Sequence, residues 1–165
     1  MVQPRLLFFP LFACALLPSA CQERVLSVSV AGGSARITLP SGEIVRAPKE
    51  RGQVDVTDGR TAQDGRTVGW LVRSIYGDVA DLIPGTLVVW RAGKIVRRFP
   101  SDQVFYSWAF YAGGKQVAYH VGPLHGESKS HCELRDIDNG RVAAAWDGDL
   151  DSDSNRPEWT KGLGH

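Results

Sequence analysis

Six oxygen-bearing side chains near the end of this chain, Asp147, Asp149, Asp151, Asp153, Asn155 and Glu158, stand at positions 1, 3, 5, 7, 9 and 12 of one window. That spacing converges hard oxygen ligands on Ca²⁺ in EF-hand loops. The segment departs from the pattern where the geometry is made: Ser152 stands where the sharp turn takes Gly, Ser154 replaces the apolar residue that follows, and no helix is predicted on either side. Ca²⁺ is therefore a weak cofactor candidate, with Asp147, Asp149, Asp151, Asn155 and Glu158 as its ligand set. The simpler reading of the segment is a solvated acidic tail.

A second set of reactive residues surrounds the loop from Gly122 to Lys129. His120, His125 and His131 flank or lie in it, and Cys132 follows directly. Imidazoles at this spacing reach one metal if the loop folds back on itself. His125, Glu127 and Ser128 share the loop, so a hydrolase using the His125/Ser128 pair is an alternative. A nucleophile and base with no third member and no Gly-x-Ser-x-Gly elbow argue weakly for that chemistry. No CxxC pair, zinc spacing, His-Glu-x-x-His helix or phosphate loop is present. No catalytic residue is assigned.

Five tryptophans, Trp70, Trp90, Trp108, Trp146 and Trp159, raise a carbohydrate-binding alternative, because indole faces stack on sugar rings. Several fall inside apolar strands, where core packing explains them first. Trp90 and Trp159 are the two expected to face outward, with Trp159 folding back from the tail onto the domain.

The elements that must position these residues read as strands. Val25 to Val30 alternates apolar and polar residues, the period of a half-buried strand. Ala35 to Leu39 and Ile44 to Arg46 flank the turn Pro40-Ser41-Gly42-Glu43. Gln53 to Val56 forms a short strand. Asp64-Gly65 turns into the strand Thr67 to Val72, and Ile75 to Pro84 reads as a loop. Thr86 to Trp90 and Ile95 to Phe99 form a hairpin around Ala92-Gly93. Phe105 to Phe110 turns at Gly113-Gly114 into Gln116 to Val121. Cys132 to Ile137 turns at Asp138-Asn139-Gly140 into Val142 to Trp146, which reads as a strand despite its alanines. Gly-rich turns at short intervals and abundant Val, Ile, Trp and Tyr make the chain all-β.

Two of these stretches repeat. Gly65-Arg66-Thr67-Val68-Gly69-Trp70 and Gly114-Lys115-Gln116-Val117-Ala118-Tyr119 lie roughly fifty residues apart, each followed by a polar loop and a second hairpin. The order of an apolar strand around Trp108, a glycine turn, an apolar strand, and the hairpin Leu134-Arg135-Asp136-Ile137-Asp138-Asn139-Gly140-Arg141 resembles a blade of the Tol-type and WD-type β-propeller repeat families. The first copy keeps Asp64-Gly65-Arg66 and Gly93, and Gly42 with Ile44-Val45-Arg46 marks a partial third unit upstream. The resemblance implies a scaffold that presents loops to partners and carries no catalytic residues over. Two repeats and a fraction cannot close a propeller, which takes about four blades or more. The expected fold is antiparallel β-meanders with blade-like repeats, open or sandwich-like rather than a closed propeller.

The ends set an expected destination. Arg5, the apolar run Leu6 to Leu17, and Pro18-Ser19-Ala20 form the three parts of an export signal over residues 1–20. Cys21 stands where a lipoprotein signal places its lipidated cysteine, although Pro18 occupies the usual aliphatic position; ordinary cleavage to a soluble protein is the alternative. An unlipidated Cys21 could pair with Cys132 in an oxidising compartment. Residues 21–146 then form one β-repeat domain and 147–165 the acidic tail. A net charge of +1 gives no electrostatic case for nucleic acid. In the cluster Lys94, Arg97 and Arg98, strand alternation makes two of the three a solvated face. The expected function is that of a non-enzymatic envelope protein that contacts a protein partner and touches membrane only through a lipid anchor.

Overall fold

The structure, a computed structural model, describes residues 27–76, 79–124, 130–151 and 154–163. Among these residues it is all-β, with three antiparallel sheets and no closed barrel or propeller. The first sheet contains β1 (Ser27–Ala31), β2 (Ser34–Thr38) and β3 (Ile44–Arg46); the central sheet β4 (Asp55–Thr61), β5 (Thr67–Tyr76), β6 (Val79–Arg91) and β7 (Lys94–Pro100). The third sheet contains β8 (Val104–Tyr111), β9 (Gln116–Gly122), β10 (Ser130–Asp136) and β11 (Val142–Gly148). Every sheet is a plain meander in chain order. The two long stretches that repeat in sequence are the central and third sheets.

The sheets stack face to face, so the central one is buried on both sides. Alternation along β5 divides its side chains: Val68, Trp70 and Val72 enter the core with Ile37 and Ala35 of the first sheet, whereas Leu71 enters the core with Trp108, Val117 and Tyr119 of the third. Gly69 shares the face of Leu71 and lies against Trp108; a Cβ there would sit 2.8 Å from the indole and 3.0 Å from the Val88 carbonyl oxygen. The residue that leaves space for the indole is the one with no side chain.

A third core cluster covers the far face of the third sheet. Leu150 and Leu163 are buried against Ala118, Cys132 and Leu134, with Trp146 and Trp159 half-buried over them. Thr160 is fully buried in the 3₁₀ turn Glu158–Thr160. The segment after β11 therefore carries apolar side chains that cap the stack.

The open edges are blunted. The ladders place one extra residue on each edge strand of the two larger sheets: at Asp58–Gly59 in β4, Val96 in β7, Tyr106 in β8 and Ala143 in β11. Such bulges twist an edge away from further pairing. Val96 and Ala143 occupy equivalent places in the second hairpin of each sheet, so the repeat extends to its irregularities.

Three arginines, Arg91, Arg97 and Arg98, join one sheet to the next; of the Lys94, Arg97 and Arg98 cluster, Lys94 and Arg98 are exposed and Arg97 is half-buried. Arg98 forms a two-point contact with Glu50, at 2.6 and 2.9 Å, reaching the segment that leaves the first sheet. Arg97 donates to the carbonyl oxygens of Ile137 and Asp138 in the third sheet's last turn. Arg91 donates to Thr67, to the Gly114 carbonyl oxygen and to Asp138. Thr67 in turn donates to Asp64, whose carboxylate also accepts the backbone N–H groups of Arg66 and Thr67. Burial by itself would raise the Asp64 pKa, but these bonds and the Arg91 charge hold it below its usual value.

The expected loop Ile75 to Pro84 is strand at its described residues, Ile75–Tyr76 and 79–84. β5 and β6 continue as a two-stranded ribbon beyond Arg73 and Thr86, where the pairing with β4 and β7 stops. Turn-forming residues disguise it: Gly85 is the extra residue at a register shift, and Pro84 lies next to that irregularity, where a missing N–H is tolerated. Among the described residues no helix is long and apolar enough to cross a membrane.

Candidate functional site

The ribbon, the β7–β8 connection and the end of β9 all lie at one end of the stack, and two concavities open there. One, of about 360 Å³, is lined by Ser74, Ile83 and Pro84 of the ribbon, by Pro100 to Val104, and by Pro123 and Leu124. Most of its side chains are apolar; Ile75, the next residue along the ribbon and not itself in the lining, is 62% exposed. The Tyr106 hydroxyl donates to the Pro123 carbonyl oxygen and fastens the wall near Leu124.

The other, of about 550 Å³, lies across the same Pro100–Gln103 connection and is lined by Tyr119, Val121, His131, Glu133 and Arg135. Strand alternation assembles these residues. His131 is opposite Val121, Glu133 opposite Tyr119 and Arg135 opposite Val117, so all three polar side chains share the face turned toward the central sheet. His131 Nδ1 is 2.6 Å from Asp147 Oδ1, and its Nε2 is 3.5 Å from Glu133 Oε1. Arg135 Nε donates to Glu133 Oε2 at 2.6 Å, and the Tyr119 hydroxyl donates to the same oxygen.

The charges follow from these contacts. The bond to Asp147 raises the His131 pKa against the opposing effect of burial, and Glu133 adds to the rise. Burial alone would raise the Glu133 pKa, but Arg135 and Tyr119 hold it below its usual value. Burial and the neighbouring Glu133 push the Tyr119 hydroxyl far above its ordinary range. An imidazole with a carboxylate at each nitrogen has its protonated form favoured, and both nitrogens are already engaged. The Ser101 hydroxyl, on the same wall, accepts the Gln103 N–H at 2.9 Å. The network binds charge and orders strands; it does not form a nucleophile–base pair.

The residues singled out by spacing separate in space. His120 and Cys132 are cross-strand partners on the face capped by the tail, whereas His131 faces the opposite way. One metal cannot be held by His120 and His131, because the sheet lies between them. Cys132 is a free, fully buried thiol whose pKa is pushed up to about 11 by burial and then by Asp147. Asp147 is engaged with His131, Glu158 pairs with Lys161, and the Asp149 carboxylate accepts the Asp151 N–H at 2.9 Å. Among the described residues no three His, Cys, Asp or Glu side chains gather closely enough to hold a metal. Asp153, His125, Glu127, Ser128, Cys21 and the export signal lie outside the described residues.

Trp70, Trp90 and Trp108 are all buried in the two inter-sheet cores. Trp90 was expected to face outward; its place on β6, in phase with Val88, turns it toward the first sheet instead. Trp146 and Trp159 are half-buried against Leu150 and Leu163. The polar network of the larger concavity escaped the sequence reading because its members come from three strands and meet only through register. The alternation His131, Glu133, Arg135 was its one visible signal. No protein-family model matches this chain, and no curated protein matches it.

Proposed function

We propose that this chain is an exported β-domain of the bacterial envelope that works by protein–protein contact, its sheets serving as blade-like scaffold units. The observation that carries the reading is the projecting β5–β6 ribbon beside the apolar concavity of about 360 Å³. Arg73 donates to the Leu82 carbonyl oxygen across the ribbon and Tyr106 to the Pro123 carbonyl oxygen, contacts that favour a preorganised surface. The edges of the larger sheets are bulged, which directs contact to this loop-bearing end and away from edge-to-edge pairing. Export rests on the three-part signal over residues 1–20, and lipid anchoring on Cys21.

A photo-crosslinking amino acid at Ile75, in cells that express the chain naturally, tests the contact. Discrete adducts from Ile75 that do not form from the exposed Lys161, on the turn that caps the third sheet, are expected. A folded Ile75 variant that yields no adduct above the Lys161 control removes the proposal. Mass measurement of the mature N-terminus tests export, and a diacyl increment on Cys21, lost in Cys21→Ser, tests the anchor.

A further inference from the structure

The outer face of the first sheet has a composition unlike the rest of the surface. Alternation sends Ala35, Ile37 and Val45 inward, which leaves Ser29, Arg36 and Arg46 in one cross-strand row and Ser27, Thr38 and Ile44 in the next. Arg36 lies directly opposite Arg46 with no carboxylate in either row. Like charges opposite each other on a sheet oppose folding, so such a pair is informative when nothing near it offsets the repulsion. The Arg36 Nε is buried and has no hydrogen-bond partner among the described residues. Ile44, in the adjoining row, is 60% exposed.

The charge around this face is also one-sided. Arg36, Arg46, Lys49 and Arg51 lie between residues 27 and 52, against Glu43 and Glu50, and Glu50 is already paired with Arg98. The opposite end of the stack is the acidic cap that follows β11. The chain is near neutral as a whole, yet cationic at one end and anionic at the other.

The position of Cys21 then says what the cationic end meets. Six residue steps separate Cys21 from the start of β1, and a chain of that length spans at most about 20 Å. We propose that the Arg36–Arg46 face of the first sheet docks on a phosphate-bearing lipid surface, with Ile44 entering the headgroup boundary and the acidic cap directed away. Guanidinium groups suit phosphate oxygens through paired N–H donors, and a diacyl anchor at Cys21 would hold this face within reach of the lipid headgroups. The inference deepens the envelope reading and rests on Cys21 being close to the membrane.

Vesicle co-sedimentation of the mature chain, residues 21–165, carrying Cys21→Ser isolates the face from both the anchor and the apolar leader. Binding to vesicles containing phosphatidylglycerol, and much weaker binding to pure phosphatidylcholine, is expected. Each arginine near an anionic surface contributes roughly a fivefold factor, so Arg36→Gln with Arg46→Gln should lower partitioning by about twenty-five-fold. Lys161→Gln, on the acidic cap, should leave it unchanged. Circular dichroism of each variant shows that the sheets are intact, and removing two opposed like charges does not threaten them. Equal binding to both vesicle types, or an undiminished double variant, overturns the docking face. Release by millimolar inorganic phosphate at constant ionic strength also overturns it, in favour of a site for the free ion. Failure of the anchor alone reads differently: the mature protein lacks the diacyl increment while vesicle binding still depends on Arg36 and Arg46.

Discussion

The Arg97 guanidinium crosses from β7 to the third sheet and donates from Nε to the Ile137 carbonyl oxygen at 2.8 Å. Ile137 is itself fully buried in the core between the two sheets, so a single backbone group is held by packing on one side and by a charge-assisted bond on the other. The same guanidinium reaches the Asp138 carbonyl oxygen. A turn with its carbonyls gathered in this way keeps the two sheets in register at their lower end.

Arg97→Ala should therefore destabilise the domain by about 2–4 kcal/mol, from two hydrogen bonds to a charged donor and the carbonyls left unsatisfied. Urea unfolding followed by tryptophan fluorescence measures it. Lys94→Ala, on an exposed position of the same strand, should change stability by less than about 0.5 kcal/mol. Equal effects from the two would remove the inter-sheet role of Arg97.

Gly69→Ala places a methyl 2.8 Å from the Trp108 ring and 3.0 Å from the Val88 carbonyl oxygen. Both neighbours are buried, so the added volume has no easy outlet. A cost of about 1–3 kcal/mol is expected, together with a shift of the buried-tryptophan emission. A neutral Gly69→Ala would mean that the two sheets pack less closely than the distance states.

His131 makes stability depend on pH in a definite direction. Its folded-state pKa is raised above the unfolded value near 6.5. The contribution is complete below the unfolded pKa and is lost as pH rises through the folded one. The melting temperature should fall from about pH 6.5 upward, and His131→Gln should flatten that decline. Following the imidazole resonance by NMR gives the folded pKa directly; a value at or below the ordinary one contradicts the Asp147 contact.

Leu163 and Leu150 close the far face over Cys132, so thiol labelling reports on the cap. Burial, with a pKa pushed up to about 11, should keep Cys132 almost inert toward an alkylating reagent at pH 8 in a Cys14→Ser, Cys21→Ser background. Leu163→Ala should cost about 2–5 kcal/mol and speed labelling by at least tenfold under native conditions. An unchanged labelling rate would show that the tail does not guard the thiol.

Much of this architecture was legible in the residues. Alternation in Val25 to Val30, the Gly65 and Gly114 turns and the Asn139-Gly140 hairpin are local signals, set by side-chain period and by backbone conformations that glycine adopts without strain. Gly65, Gly114 and Gly140 all have positive φ. The ribbon at Ile75 to Pro84 was hidden because its bulge uses Gly and Pro, the same residues that mark loops. Leu150 and Leu163 were hidden because isolated apolar residues in an acidic segment have no period. The polar network was hidden for another reason: His131, Glu133 and Arg135 alternate visibly, but Tyr119 and Asp147 join them only through strand register.

The sequence by itself determined that the chain is β-structured and built of meanders that turn at glycines. Those properties follow from local period and turn chemistry, which need no partner elsewhere in the chain. Only the tertiary structure decided that Asp147 serves His131, that His120 and His131 face opposite ways, and that Arg97 and Arg98 tie sheets together. Each of these depends on which strand lies opposite which, and a shift of one residue in register would send every side chain to the other face.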